Sequence, residues 1–306
     1  MRLEKQYIWF DGRFVPFADA KLHVLTHSLQ YGSGIFEGIR AYDTPKGTAV
    51  FRLDDHIVRF FNSAKIYGID IGFTKKQIRD AILQTVRKNK LRECYIRPYA
   101  FYRTTELGVR PADTSTGVII AAVPFGNYFK NKNKGIRCVV SSWQRIHSTI
   151  LPPEAKASGN YLNSMLASME AKKEGADEAI LMSVEGYVAE GPGENIFFVQ
   201  DNILVTPSKS SDILLGITRD SIIKIAEAKG IEVEERDMHR EEMYTSDEAF
   251  FSGTAAEITP ITEIDSKKIG SGRVGPITKM LMDAYDDAAR GKDSDFEDWL
   301  AYVTEE

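Results

Sequence analysis

Residues 48–102, TAVFRLDDHIVRFFNSAKIYGIDIGFTKKQIRDAILQTVRKNKLRECYIRPYAFY, run from one apolar stretch through two helical patterns into a second. Asp54 to Ile69 carries Ile57, Phe60, Phe61 and Ala64 at the spacing of one buried helix face, with Asp54 as N-cap. Thr74 to Lys90 does the same through Ile78, Ile82, Leu83 and Val86, and Thr74 with Gln77 has capping-box spacing. Cys94–Tyr102 alternates instead, which puts Tyr95, Arg97, Tyr99 and Phe101 on one face of a strand. Strands and helices interspersed in this way give an α/β or α+β fold.

Further strands are predicted at Lys5–Phe10, Thr48–Leu53, Val118–Val123, Ile136–Trp143, Ala179–Ser183 and Asn195–Val199. Helices are predicted at Leu162–Glu174, Thr218–Lys229 and from Pro276 to Gly291, the first two stopped by Gly175 and Gly230. Between Pro124 and Gly135 the chain turns polar and rich in Lys and Asn, so 124–135 reads as a loop between a small domain, 1–123, and a larger one, 136–306. A length of 306 residues suits two domains. With 43% hydrophobic and 27% charged residues the chain is an ordinary globular mixture that folds without disulfides. Cys94 and Cys138 are the only cysteines, which excludes a disulfide framework or zinc ribbon and points to the cytoplasm. Lys+Arg 39 against Asp+Glu 44 argues against nucleic-acid or anionic-membrane partners. The longest apolar run, Val118 to Phe125, is too short to span a bilayer, and the first ten residues lack a secretory apolar region. Small molecules are the expected partners.

Three segments could hold an anion. Leu215-Gly216-Ile217-Thr218 precedes a helix whose first N–H groups would face a phosphate, although an ordinary N-cap threonine reads the same way. Ser252-Gly253-Thr254-Ala255-Ala256 is small enough for backbone to approach a ligand, or simply ends a strand. Arg59 lies beside an aromatic pair on its helix. Gly270-Ser271-Gly272-Arg273-Val274-Gly275 has the letters of a dinucleotide fingerprint but lacks the strands that must follow, and reads as a turn before a helix. Lys156 sits among small residues in Lys156-Ala157-Ser158-Gly159-Asn160-Tyr161, which reads as a solvated charge, the common state of a lysine, or as a place open to a cofactor. Glu190 and Glu194 flank a glycine-rich turn. Arg97 among aromatics is either a stacked edge residue or a carboxylate clamp. His23 and His27 have i,i+4 spacing with no third ligand nearby, so no metal is expected.

Together with Tyr31–Arg40, YGSGIFEGIR, these segments in this order resemble the branched-chain amino acid aminotransferases among fold type IV pyridoxal-phosphate enzymes. The resemblance implies a small α/β domain and a larger pseudo-barrel domain, with pyridoxal 5'-phosphate as cofactor. It implies transamination of L-leucine, L-isoleucine and L-valine with 2-oxoglutarate. Lys156 matches the Schiff-base lysine, Glu190 the carboxylate facing the pyridine nitrogen, and Tyr161 the partner of the phenolic oxygen. Arg59, Ile217, Thr218 and Thr254 match the phosphate cup. Thr254 and Ala255 would receive the substrate α-carboxylate. Phe36, Tyr95, Arg97, Phe125 and Tyr128 match the side-chain pocket, with Tyr31 and Val109 reaching in from a partner subunit. A homodimer is then the minimal active unit, and a hexamer the larger alternative.

Overall fold

The computed structural model describes residues 3–126, 128–129 and 134–304. Its chain forms two units: Met1–Gly126 with Ala155–Gly159 and Asp287–Glu306, and Asn127–Glu154 with Asn160–Asp286. The sequence suggests 136–306 as one domain; this division instead returns two of its segments to the first unit. The expected interdomain loop, 124–135, lies partly outside the described residues.

The first unit is built on an antiparallel sheet in the order Leu300–Tyr302, Gly47–Phe51, Ile39–Thr44, Cys94–Tyr102, Thr116–Val123, Tyr7–Phe10, Arg13–Pro16, with Gly34–Phe36 also on Cys94–Tyr102. Its helices are α1 (His27–Tyr31), α2 (Leu53–Ile66) and α3 (Lys75–Lys88). Ile57, Phe60 and Ala64 of α2 and Ile78, Ile82 and Val86 of α3 share one apolar core with Ile96 and Ala100 of the sheet. Because Cys94, Ile96 and Ala100 turn to that core, the pleat sends Tyr95, Arg97 and Tyr99 to the other face. The Thr74–Gln77 capping box forms. Asp54 is not the N-cap of α2. The strand before it ends at Phe51, and Arg52, at φ 49, turns the chain while its side chain stacks on Trp299 and bonds Asp55 at 2.6 Å.

The second unit carries a mixed sheet in the order Val188–Glu190, Glu178–Met182, Ile136–Val140, Glu257–Ile264, Glu248–Gly253, Asn195–Gln200, Ile203–Thr206, Val233–Glu235, with Lys267–Lys268 beside Glu257–Ile264. Ile136–Val140 runs parallel to both neighbours. Here lie α4 (Tyr161–Lys173), α5 (Ile217–Ala228), α6 (Arg240–Thr245) and most of α7 (Pro276–Ala289). The strand predicted to reach Trp143 stops at Val140, where the Ser141 and Ser142 side chains bond Glu170 of α4. The glycine-rich run 270–275 is a turn into α7, whose Ile277 and Thr278 N–H groups donate to the Glu248 carboxylate at 3.0 and 2.6 Å. A protein carboxylate thus fills the position that a dinucleotide phosphate would need.

Candidate active site

In the first unit Lys156 lies on a short segment docked against the sheet edge. Phe36 N–H donates to Lys156 O at 2.9 Å, Ile35 bridges Ala157, and Lys156 N–H donates to Ser63 Oγ at 3.0 Å. Its side chain is half-buried, with Nζ 5.2 Å from the centre of the Phe36 ring. Arg97 Cζ lies 4.4 Å from the same centre and 5.3 Å from that of Tyr95, whose hydroxyl accepts from Arg97 Nη2 at 3.2 Å. Tyr95 packs on Phe125 with ring centres 5.0 Å apart. The alternating strand therefore joins Phe36, Tyr95, Arg97 and Phe125 in one aromatic patch. Glycines make room for it: a Cβ on Gly38 would stand 2.0 Å from the Tyr95 hydroxyl.

The same unit holds a buried group with no local sequence signal. Glu37 is fully buried and accepts from Arg59 Nε and Nη2 at 2.7 and 2.9 Å and from His56 Nδ1 at 2.7 Å. Burial alone would raise the Glu37 carboxyl, but Arg59 and His56 overcome it and hold it well below the usual carboxylate range. Burial pushes His56 down, and the charges of Arg59 and Lys156 push the same way against the pull of Glu37. Arg59 is thus oriented by a two-point carboxylate contact at the buried end of its side chain. A His and an Arg three residues apart on one helix face give a signal for this only once an acid is known to lie opposite them.

Tyr31 and Val109 stand exposed on the first unit, Val109 at 85%. Tyr31 packs on the His27 ring.

In the second unit Glu190 is buried at the end of its strand. Arg145 Nε lies 2.8 Å from its Oε1, while Asn195 Nδ2 and Leu214 N–H donate to Oε2 at 2.9 and 3.1 Å. Glu194 is equally buried, yet its Oε2 accepts locally, from Gly193 N–H at 3.0 Å. The turn 191–194 separates the two acids. Ser252 pairs with Asn195 across the strands, so their side chains share a face, and Ser252 Oγ is buried without a hydrogen-bond partner.

Gly216, not Thr218, caps α5, and no side chain caps that end. Ile217 and Thr218 are buried in its first turn, where unpaired N–H groups favour an anion. A Cβ on Gly216 would meet Asn195 Oδ1 at 2.1 Å, which ties the helix start to the Glu190 cluster. Thr254 and Ala255 form the turn after Glu248–Gly253, half-buried. Tyr161 opens α4, also half-buried, and Tyr128, half exposed, packs edge-on against Phe129.

Residues 34–264 match the model of the amino-transferase class IV family. The chain belongs to the class IV aminotransferases. A relative from Pseudomonas aeruginosa, named branched-chain-amino-acid aminotransferase, is 47% identical over 97% of each chain. One of the same name from Escherichia coli is 46% identical over 98% of each. The solved E. coli branched-chain amino acid aminotransferase superposes with TM-score 0.95 over 98% of this chain and 100% of its own. The branched-chain amino acid aminotransferase of Thermobaculum terrenum, solved in its PLP form, gives 0.92 at 37% identity over 99% of this chain and 100% of its own. The two-unit mixture of helix and sheet is accordingly the fold type IV architecture of this class.

Proposed function

We infer that this chain is a pyridoxal-phosphate-dependent branched-chain-amino-acid transaminase. It exchanges the amino group of L-leucine, L-isoleucine or L-valine with 2-oxoglutarate, giving the branched-chain 2-oxo acids and L-glutamate. The observation that carries this reading is the chain-long likeness, at 46% and 47% identity, to proteins of that name.

The donor sets fit the cofactor. The α5 end offers uncapped N–H groups to a phosphate, Glu190 is a buried carboxylate backed by Arg145, and Ser252 adds a buried hydroxyl lacking a partner. When bound, pyridoxal phosphate supplies an electron sink for the substrate α-carbon. Lys156 Nζ would hold it covalently and, once released, carry the proton to and from the α-carbon. Glu190 would keep a proton on the pyridine nitrogen, and Arg145, 2.8 Å from its Oε1, keeps that carboxylate from drifting. Tyr161 would bond the phenolic oxygen. Arg59, Ile217, Thr218 and Thr254 would bind the phosphate, with Arg59 pre-oriented by Glu37. Thr254 and Ala255 N–H groups would take the substrate α-carboxylate. Phe36, Tyr95, Phe125 and Tyr128 would wall the side-chain site, and Arg97 would pair the γ-carboxylate of 2-oxoglutarate.

A homodimer suits the exposed Val109 and Tyr31, which would complete the partner's site. Among the described residues no helix is long and apolar enough to cross a membrane, and both cysteines are free and buried, in keeping with a cytoplasmic enzyme. The test is spectroscopic. Adding L-leucine to the cofactor-loaded protein should bleach the visible cofactor band, and 2-oxoglutarate should restore it. A response to D-amino acids and none to L-leucine would overturn the assignment.

A further inference from the structure

Three segments distant in sequence meet in the second unit. His147 lies in the loop after Ile136–Val140, Glu185 on the turn between Glu178–Met182 and Val188–Glu190, and Asp212 at the end of the short turn Lys209–Ser211. His147 Nε2 is 3.3 Å from Glu185 Oε1 and 3.8 Å from Asp212 Oδ2, and all three atoms lie within 4.8 Å of one another. Asp212 adopts φ 59, a left-handed conformation that short polar side chains tolerate, and its Oδ1 accepts Ser148 N–H at 3.1 Å. Oδ2 is left without a hydrogen-bond donor, on a residue only 7% exposed. A buried carboxylate oxygen in that position is costly, and a bound water or ion is the usual remedy.

We propose that His147, Glu185 and Asp212 bind a divalent cation of the zinc class. Bonds of about 2.0–2.2 Å in a tetrahedral arrangement set ligand atoms about 3.3–3.6 Å apart. The 3.3 Å separation between His147 and Glu185 matches that, the 3.8 Å one between His147 and Asp212 is close to it, and Glu185, exposed on its turn, has room to approach Asp212 from within 4.8 Å. An imidazole nitrogen with two carboxylates favours zinc and its transition-metal neighbours over magnesium or calcium, which take oxygen ligands. Behind the ring, Thr149 Oγ1 lies 2.7 Å from His147 Nδ1. It can accept the Nδ1 proton and so leave the Nε2 lone pair facing the carboxylates, the usual outer support of a ligating histidine. Thr149 N–H, at 3.3 Å from the same nitrogen, serves the metal-free tautomer. The cation would neutralise two like charges and tether three loops. One of them continues from Asp212 through Leu214, which bonds Glu190 and Asn195, into α5. The metal's work is therefore to hold that segment in place.

Holoenzyme stripped with EDTA and titrated calorimetrically with zinc chloride should take up one zinc per chain. Its melting temperature should rise by several degrees, and magnesium chloride at the same concentration should leave it unchanged. His147→Ala and Asp212→Asn should each weaken zinc uptake by more than about tenfold, as should Glu185→Gln, whose exposed position puts folding at little risk. Absence of stoichiometric uptake overturns the proposal. So does equal uptake by wild type and the three variants, the result that chelation by the cofactor or by another histidine would give. Because turnover is not the readout, the outcome is independent of the transaminase reading.

Discussion

Lys156 is the residue on which the proposed chemistry converges, its own N–H and C=O both hydrogen-bonded and its side chain half-buried. Lys156→Ala should abolish turnover, and borohydride reduction followed by peptide mapping should place the pyridoxyl label on Lys156; a label on another lysine refutes its role. Glu190 and Glu194 are equally buried, and the Arg145 guanidinium, Asn195 Nδ2 and Leu214 N–H all gather on Glu190. Glu190→Gln should therefore slow single-turnover deprotonation of leucine more than Glu194→Gln, and the reverse order would exchange their roles. Arg97 is exposed in the single chain, which lowers the worth of its charge pairing from that of a buried pair. A charged hydrogen bond of about 1.5–3 kcal/mol predicts that Arg97→Leu cuts kcat/KM for 2-oxoglutarate by roughly 10- to 150-fold. Leucine should lose much less, and equal losses would make Arg97 merely structural. His56 contributes a pH dependence. Its folded value lies below the ordinary 6.5, so as pH falls through 6.5 the unfolded chain takes up a proton that the folded chain refuses, and stability drops. His56→Asn should flatten the melting temperature between pH 7.5 and about 5.5 relative to wild type.

The Cys94–Tyr102 strand was legible to the residue, because strict alternation leaves one arrangement for its two faces. Helix interiors were legible from their 3.6-residue apolar period and the start of α3 from its capping box, whereas the starts of α2 and α5 depended on partners far away. At α2 the turning residue is Arg52, fixed by Trp299, and at α5 it is Gly216, fixed by Asn195; neither partner is visible in local spacing. Glu37 carries no local signal within Tyr31–Arg40, since its importance arises only when α2 brings Arg59 and His56 to it. Lys156, Glu190 and the α5 start stand out in the sequence because their short motifs keep a reactive group beside small residues. The α5 start carries its own test. Gly216→Ala forces a methyl group against Asn195 and so against the support of Glu190, at a cost of about 1–3 kcal/mol. Cofactor release should quicken and the melting temperature fall, while Gly193→Ala, with nothing within 4 Å of the added Cβ, should change neither.

At the scale of the molecule, α4 displays Leu162, Met165, Leu166 and Met169 to solvent at helical spacing, 37–62% exposed. A second copy would cover such a stripe. Light scattering should read a dimer or larger, and Leu162→Glu with Met169→Glu should lower the mass if that stripe joins copies; an unchanged mass would put the joint elsewhere, at Tyr31 and Val109. Contiguous domains were the natural inference from composition, which records no pairing between residues far apart. The Leu300–Tyr302 strand lies against Gly47–Phe51 and closes one edge of the first sheet. Synthesis on the ribosome therefore delivers the components out of order. The nascent second unit has all its residues once Asp286 emerges, while the first, begun earlier, waits with the Gly47–Phe51 edge unpaired. The half of the protein that is made first is the last that can be finished, and until then chaperones have a bare strand to shield.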